Sequence, residues 1–368
     1  MERPTYLKSL LNKALAMKVP VSGTFELTAR CNLDCSMCYI HKAENDPVAR
    51  QKELPTEFWL DLVRQIRDAG ALTLLLSGGE PVLHPGFREI YLACKKAGLI
   101  LSLNSNGTMF TTDDIAFFSG NPPAKINISL YGASRETYQK QCGNGLMFDR
   151  VTENIRRLRE KNIGVRINLT VTEQNRQDIA AIYRFARSLE IPVSYTTYLF
   201  PPKRASENGF CAACRHAPEQ AAALSLVCDR EKFGQEEFRL RKKAIEEQAP
   251  LLTEEECSDL REPTERIRCR AGTSAWWATF DGRLLPCAML GDHAVDLKTR
   301  SFQDAWREIR RLTDQIYLPS ACTDCSLRQY CHVCAAICYC ENGRTEAVPT
   351  YMCEMTRAYL KALREVEV

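Results

Sequence analysis

A partial (β/α)6 TIM-type barrel followed by a small cysteine-rich domain is the α/β architecture this sequence predicts, on three observations. Short β-rich runs alternate with helical stretches from residue 24 to residue 198, which argues a parallel sheet with right-handed crossovers. The alternation yields six strand–helix units, short of the eight in a closed barrel. Beyond residue 200 the rhythm stops and cysteines crowd: nine of the 18 fall between 257 and 340, with Cys353 just beyond.

Composition narrows the class. At 368 residues, 45% hydrophobic and 26% charged, the chain can bury a core without disulfides. A formal charge of +3 is too small a bias to point to nucleic acid or a membrane surface as the main partner. No apolar run approaches the roughly 18 residues of a membrane span. Lys8, Asn12, Lys13 and Lys18 interrupt the N-terminal stretch before a secretory segment could form. The expected location is therefore cytoplasmic, where thiols stay reduced, so cysteines at short fixed spacings point to metal or cluster ligation.

In chain order, Leu7, Leu10, Leu11, Ala14 and Leu15 give one apolar face to a helix over 7–15, the N-terminal element of segment 1–22. The barrel spans 23–200, with strands Thr24–Thr28, Leu72–Leu76, Ile100–Asn104, Lys125–Leu130, Val165–Val171 and Pro192–Tyr198. Helices are expected near 56–69, 86–98, 112–119, 149–161 and 175–189. Pro201 and Pro202 open a bridging segment, 201–260, that includes a charged helical stretch over 217–248. The cysteine-rich domain comes next, over 261–368, with the boundary near 250–262.

In parallel barrels the chemistry sits where the strands end at their C-termini. The first exit reads Cys31-x3-Cys35-x2-Cys38. Three thiolates on one loop can each hold one iron of a [4Fe-4S] cube and leave the fourth iron open; a zinc site borrowing His41 is the competing reading. The second exit, Ser77-Gly78-Gly79-Glu80-Pro81, has consecutive glycines that let backbone approach a ligand and offer carbonyls to an ammonium group. Asn104-Ser105-Asn106-Gly107-Thr108 and Ser129-Leu130-Tyr131-Gly132 occupy the next two exits. Arg166, Asn168 and Thr170 then share one face of the fifth strand. Each motif alone is weak, since an Asn-Gly pair is usually only a turn. Their placement at five successive strands is what carries weight.

Over residues 20–200 this set resembles the radical S-adenosylmethionine (SAM) enzymes. The resemblance implies that the open iron chelates the SAM amino and carboxylate groups. Reductive cleavage then gives methionine and a 5′-deoxyadenosyl radical that abstracts hydrogen. By this likeness Cys31, Cys35 and Cys38 bind the cluster, and Gly78, Gly79 and Glu80 meet the SAM amino group. Ser129 and Arg166 are candidates for its carboxylate or ribose, and Asn104 joins the cofactor-binding set. The residue before the third cysteine is usually aromatic in this family; here it is Met37, whose apolar thioether can cover adenine or cluster similarly.

The second cysteine field reads Cys269-x12-Gly282-x4-Cys287, then Cys322-x2-Cys325-x5-Cys331-x2-Cys334, then Cys353. Seven cysteines are too many for one zinc knuckle. The pattern resembles the SPASM extension, which implies two auxiliary [4Fe-4S] clusters and three clusters in all. Cys269, Cys287 and Cys334 are then ligands of auxiliary cluster I, and Cys322, Cys325, Cys331 and Cys353 of auxiliary cluster II. The gap before Cys334 is two residues where the family has three, and no cysteine lies between Ala271 and Thr279. Cluster I thus has an open iron or one filled by Cys338 or Cys340. Cys94, Cys142, Cys228 and Cys257 read as core. Cys211 and Cys214 read either as plain loop or as a redox or ligand pair near the active-site mouth.

Two auxiliary clusters suit oxidation of a substrate radical. The leading expectation is a peptide maturase acting on a ribosomal precursor peptide, with a thioether or related crosslink at a Cys. The runner-up is the anaerobic sulfatase-maturing type, which carries Asp directly after the cysteine of Gly-x4-Cys, where this chain has Ala288 with Asp292 nearby. Small-molecule cofactor biosynthesis shares every motif, whereas a mere electron carrier would need the cysteines but not the Gly79-Glu80 exit. Few residues precede the first strand, so leader recognition is expected from a separate leader-binding protein or from the surface around 200–260. An electron donor such as flavodoxin or ferredoxin completes the expected partners.

Overall fold

The computed structural model describes residues 5–40, 42–201, 212–250, 265–267 and 269–367. The six expected strands are present: β1 (Ser22–Glu26), β2 (Thr73–Ser77), β3 (Ile100–Ser105), β4 (Lys125–Ser129), β5 (Val165–Thr170) and β6 (Val193–Thr196). They pair in parallel in chain order. The longer helices among them are α1 (Thr5–Ala16), α2 (Thr56–Asp68), α3 (Phe87–Lys96), α4 (Thr112–Gly120), α5 (Arg135–Cys142), α6 (Met147–Glu160) and α7 (Ile179–Ser188). Helix α5 has no counterpart in the sequence expectation. Its segment RETYQKQC carries an apolar stripe of only Tyr138 and Cys142, and the clearer signal is the cap, where Ser134 Oγ accepts from the Thr137 amide.

Alternation along the strands separates two faces. Phe25, Leu74, Leu76, Leu101, Leu103, Ile126, Ile128 and Ile167 are buried under the helices with Trp59, Ile66, Ile90, Phe118 and Ile155. Ser102, Asn104, Ser129, Arg166, Asn168 and Thr170 face the other way and are only half-buried. A closed barrel fills its interior with branched apolar side chains. Here the inner face is polar and open, and on edge strand β6 Ser194 and Thr196 are exposed.

The expected boundary at 250–262 falls almost wholly within 251–264, outside the described residues. The C-terminal part of the chain shares the sheet. Strand β7 (Ala275–Ala278) runs parallel to β1, and the antiparallel β8 (Arg283–Leu285) and β9 (Val295–Asp296) complete a nine-stranded sheet ordered β9-β8-β7-β1-β2-β3-β4-β5-β6. Trp276 of β7 lies so close over Gly23 that a Cβ there would fall 2.0 Å from its ring. The remaining long helices are α8 (Pro218–Gln248), α9 (Phe302–Thr313), α10 (Ala335–Asn342) and α11 (Thr350–Glu365). Trp306 of α9 donates to the Lys18 carbonyl, and the backbone N–H of Phe302 donates to Gln65 of α2. Helix α8 bends at Gly234 and packs on α11 through Leu226, Phe238 and Leu363. Among the described residues no helix is long and apolar enough to cross a membrane.

Candidate active site

The first two strand exits are zipped together. Gly79 N–H donates to the Thr28 carbonyl at 2.7 Å and Glu80 N–H to the Arg30 carbonyl at 2.8 Å. A Cβ on Gly78 would lie 2.4 Å from Thr28 O, and one on Gly79 would lie 2.3 Å from Arg30 O. Gly78 also has φ +149°. These glycines are therefore required by the close approach of the neighbouring backbone, a reason the sequence does not disclose.

Beyond the zipper, Cys31, Cys35 and Cys38 are all half-buried on one loop. Helix α5 braces it: Asp34 N–H donates to the Cys142 carbonyl and Ser36 N–H to the Gln141 carbonyl, both at 3.1 Å. A hydrogen bond from the Cys35 S–H to Cys142, with burial, pushes the Cys35 thiol well up, so Cys142 touches this loop as well as the core. Gln141 donates its amide N–H to Met37 Sδ, and Met37 packs with Leu199 and the buried Cys214. Cys214 also contacts Ser36 Oγ at 3.3 Å. Its companion Cys211, together with Cys257 and His41, lies outside the described residues.

Glu80 is fully buried. Its carboxylate accepts from Ser105 Oγ at 2.8 Å and from the Asn106 N–H at 2.7 Å, and burial pushes it up to about 7. Its side chain thus clamps the third exit, leaving backbone carbonyls of the glycine turn as the groups able to meet an ammonium. Ser77, Asn104, Asn127 and Arg166 lie side by side across β2, β3, β4 and β5. Asn127 donates to Asn104 Oδ1 at 2.8 Å. Ser129, at the end of β4, hydrogen-bonds the Tyr131 hydroxyl, whose own titration burial pushes up. Three thiols at the rim of a polar, half-exposed face form a donor set suited to an iron–sulfur cube with a polar ligand beside it.

The C-terminal cysteines divide into two groups. Cys322, Cys325, Cys331 and Cys353 line one cavity of about 30 Å³, the four-residue set expected from the sequence. Arg328 also lines it, and its buried Nε has no hydrogen-bond partner among the described residues. A cationic N–H there suits a thiolate-rich, negatively charged occupant. Cys287 and Cys334 pack instead against Met289, Leu290 and Cys340. The Cys269 thiol is pushed up, first by desolvation of its sulfur and then by its proximity to Cys334.

Helix α10 explains the split, because residues two apart point to nearly opposite sides. Cys338 packs with Cys322, Cys331 and Val333, whereas Cys340 faces the Cys287 group. Ala288 is buried in that same group, and the Tyr339 hydroxyl donates to Asp292. Among the described residues no three His, Cys, Asp or Glu side chains converge on a point that would hold one metal ion. A cube takes each thiolate on a different iron, so its donors surround a volume.

Residues 25–186 match the model of the Radical SAM superfamily. The chain carries a radical SAM domain. That domain brings S-adenosylmethionine and a [4Fe-4S] cluster, and makes the chain an enzyme. Among curated relatives, the AdoMet-dependent heme synthase of Methanosarcina barkeri is 25% identical over 332 residues, 87% of this chain and 92% of that one. The sporulation killing factor maturation protein SkfB of Bacillus subtilis is 25% identical over 289 residues, 78% of this chain but only 64% of its own length. Streptococcus suis SuiB, solved bound to its precursor peptide SuiA, superposes with a TM-score of 0.67 at 17% identity, covering 96% of this radical SAM chain and 82% of SuiB. That last likeness establishes the fold alone.

Three residues around this site are singled out by no sequence motif: Arg30, Glu53, which pairs with the Arg30 guanidinium, and Gln141. Only the arginine preceding the first cysteine offers any local signal.

Proposed function

We propose that this radical SAM enzyme oxidatively modifies a ribosomally made peptide, forming a thioether or related crosslink at a cysteine. One observation carries the reading: Tyr39, directly after Cys38, packs in the same apolar cluster as Cys287 and Cys334, which puts the second cysteine field against the first. When bound, the cluster and SAM supply a 5′-deoxyadenosyl radical that removes one hydrogen from the substrate. Closing a thioether requires a further electron and proton to leave. In this reading the adjoining thiols of a SPASM domain over 261–368 hold an electron acceptor. The open inner face, running out to edge strand β6, suits an extended chain.

In this reading Cys31, Cys35 and Cys38 hold the SAM cluster, and the Gly78–Gly79 carbonyls, Asn104, Ser129 and Arg166 orient SAM. Cys269, Cys287 and Cys334 with Cys340 hold auxiliary cluster I, and Cys322, Cys325, Cys331 and Cys353 hold auxiliary cluster II, for three clusters in all. The substrate is a precursor peptide, delivered with the help of a separate leader-binding protein. A flavodoxin- or ferredoxin-type donor supplies electrons, and the enzyme works in the cytoplasm, where its thiols stay reduced.

A second reading, modification of a haem precursor, has one observation in its favour: the heme synthase relative matches nearly end to end, while SkfB extends well beyond the match. Formylglycine formation is disfavoured by buried Ala288 at the position of the expected Asp. Mass spectrometry of each candidate substrate after incubation with SAM and reductant separates the three.

A further inference from the structure

Asn106 looks from sequence like the first half of an Asn-Gly turn, and the structure gives its side chain a different task. Its Oδ1 accepts from the Thr108 backbone N–H at 2.9 Å and from Thr108 Oγ1 at 2.7 Å. A backbone N–H can only donate, so the amide oxygen must face Thr108 and the NH2 must face the other way. On that side it meets Asn32 Oδ1 at 2.8 Å and Cys31 Sγ at 3.5 Å.

The placement is over-determined. Asn106 N–H is held by Glu80, Gly107 N–H by Ser105 Oγ, and the Gly107 carbonyl by Asn154 Nδ2 at 2.9 Å. Asn106, Ser105, Thr108, Glu80 and Asn154 are all buried. So many fixed partners leave the amide little freedom to turn away from the sulfur. A second N–H, from Leu33, reaches the same sulfur at 3.5 Å.

We propose that Asn106 is a positioning residue for the SAM cluster: its side-chain N–H holds the Cys31 thiolate in ligating orientation and raises the cluster's reduction potential. The inference rests on the assignment of Cys31 to that cluster. Hydrogen bonds to cluster sulfurs stabilise the more negative, reduced state, so removing one lowers the potential. The Glu80 carboxylate would then act on the cluster through Asn106.

The test uses the full chain, anaerobically reconstituted, with EPR-monitored redox titration of the signal that changes when SAM is added. Asn106→Asp keeps the shape and the oxygen facing Thr108 but removes the N–H; Asn106→Ala removes the whole amide. Both are expected to load iron as the parent does, with the reduced-to-oxidised ratio at a fixed poise about tenfold lower, equal to about 59 mV for one electron. Asn154→Ala, which loosens the same loop without touching sulfur, should leave the potential in place. An unchanged potential in both Asn106 variants, or an equal shift in Asn154→Ala, overturns the proposal. Selective loss of the SAM-responsive signal from a variant that still melts cooperatively supports the ligand-holding role. If the parent itself shows no SAM-responsive cluster, the assignment of Cys31 fails first.

Discussion

Arg30 and Glu53 form a two-pronged buried ion pair directly before the first cysteine, with Nε to Oε1 at 2.6 Å and Nη2 to Oε2 at 2.9 Å. Both side chains are less than a tenth exposed, at 4% and 7%. Arg30 also donates to the carbonyls of Glu44 and Leu83, and Thr28 Oγ1 donates to Glu53. One guanidinium thus ties together the strand exit, the segment after the cysteine loop and the turn beyond the glycines. The forked geometry is what lysine cannot reproduce.

Removing one partner strands the other charge out of water. Glu53→Ala and Arg30→Ala are each expected to cost about 3–5 kcal/mol of stability, with Arg30→Lys in between. Denaturant unfolding under anaerobic conditions, with iron analysis of the folded fraction, checks this. A loss below about 1 kcal/mol would mean the pair behaves as an exposed one.

Glu80 gives a pH signature. Its folded-state value, about 7, lies above the 4.5 of an unfolded carboxyl. Below pH 4.5 both states are protonated and burial carries no ionic cost. As pH rises from 4.5 to 7 the unfolded chain loses its proton first, so this group makes stability fall, and the penalty stays constant above 7. Glu80→Gln can still accept from Asn106 N–H through its amide oxygen, with Ser105 Oγ rotating to accept. It should flatten that decline and leave SAM affinity close to that of the parent. Arg166→Ala, on the open inner face, should weaken SAM binding while iron content holds; calorimetric titration with SAM compares the two.

Iron content tests the cysteine sets. Three cubes require about 12 irons per chain, and replacing Cys31, Cys35 and Cys38 together with Ala should leave about eight. Because Cys340 faces the Cys287 group and Cys338 does not, Cys340→Ser should perturb one auxiliary cluster's EPR signal while Cys338→Ser leaves that cluster intact. About four irons in well-reconstituted parent enzyme would remove both auxiliary clusters from the account.

How much of this is legible in the sequence depends on the range of each interaction. The six parallel strands are read correctly because period-two patterning is local, and the cysteine loop stands out because its three cysteines lie within eight residues. Strands β7 to β9 escape because they are two to four residues long and join the sheet through β7, whose partner β1 lies more than 250 positions away in Ser22↔Ala275. Asn106 escapes for a different reason: its direction depends on Thr108 and Glu80 together, and no spacing rule encodes the resulting contact with Cys31. The glycines of the second exit are found by motif, but their physical cause, the backbone of Thr28 and Arg30, appears only when two exits are seen side by side.

Atom counting on the product distinguishes the candidate substrate classes. A thioether leaves the product about two mass units below the substrate with one thiol no longer alkylatable. Formylglycine made from cysteine loses sulfur and gains an aldehyde that reacts with hydrazide probes. With Ala288 where a base is expected and Asp292 engaged by Tyr339, the cysteine-bearing precursor should lose the two hydrogens and a sulfatase-motif peptide should stay unchanged. Aldehyde on the second peptide alone would select the sulfatase-maturing reading. Inertness of both peptides, with turnover of an iron porphyrin, would select the reading that the heme synthase relative suggests.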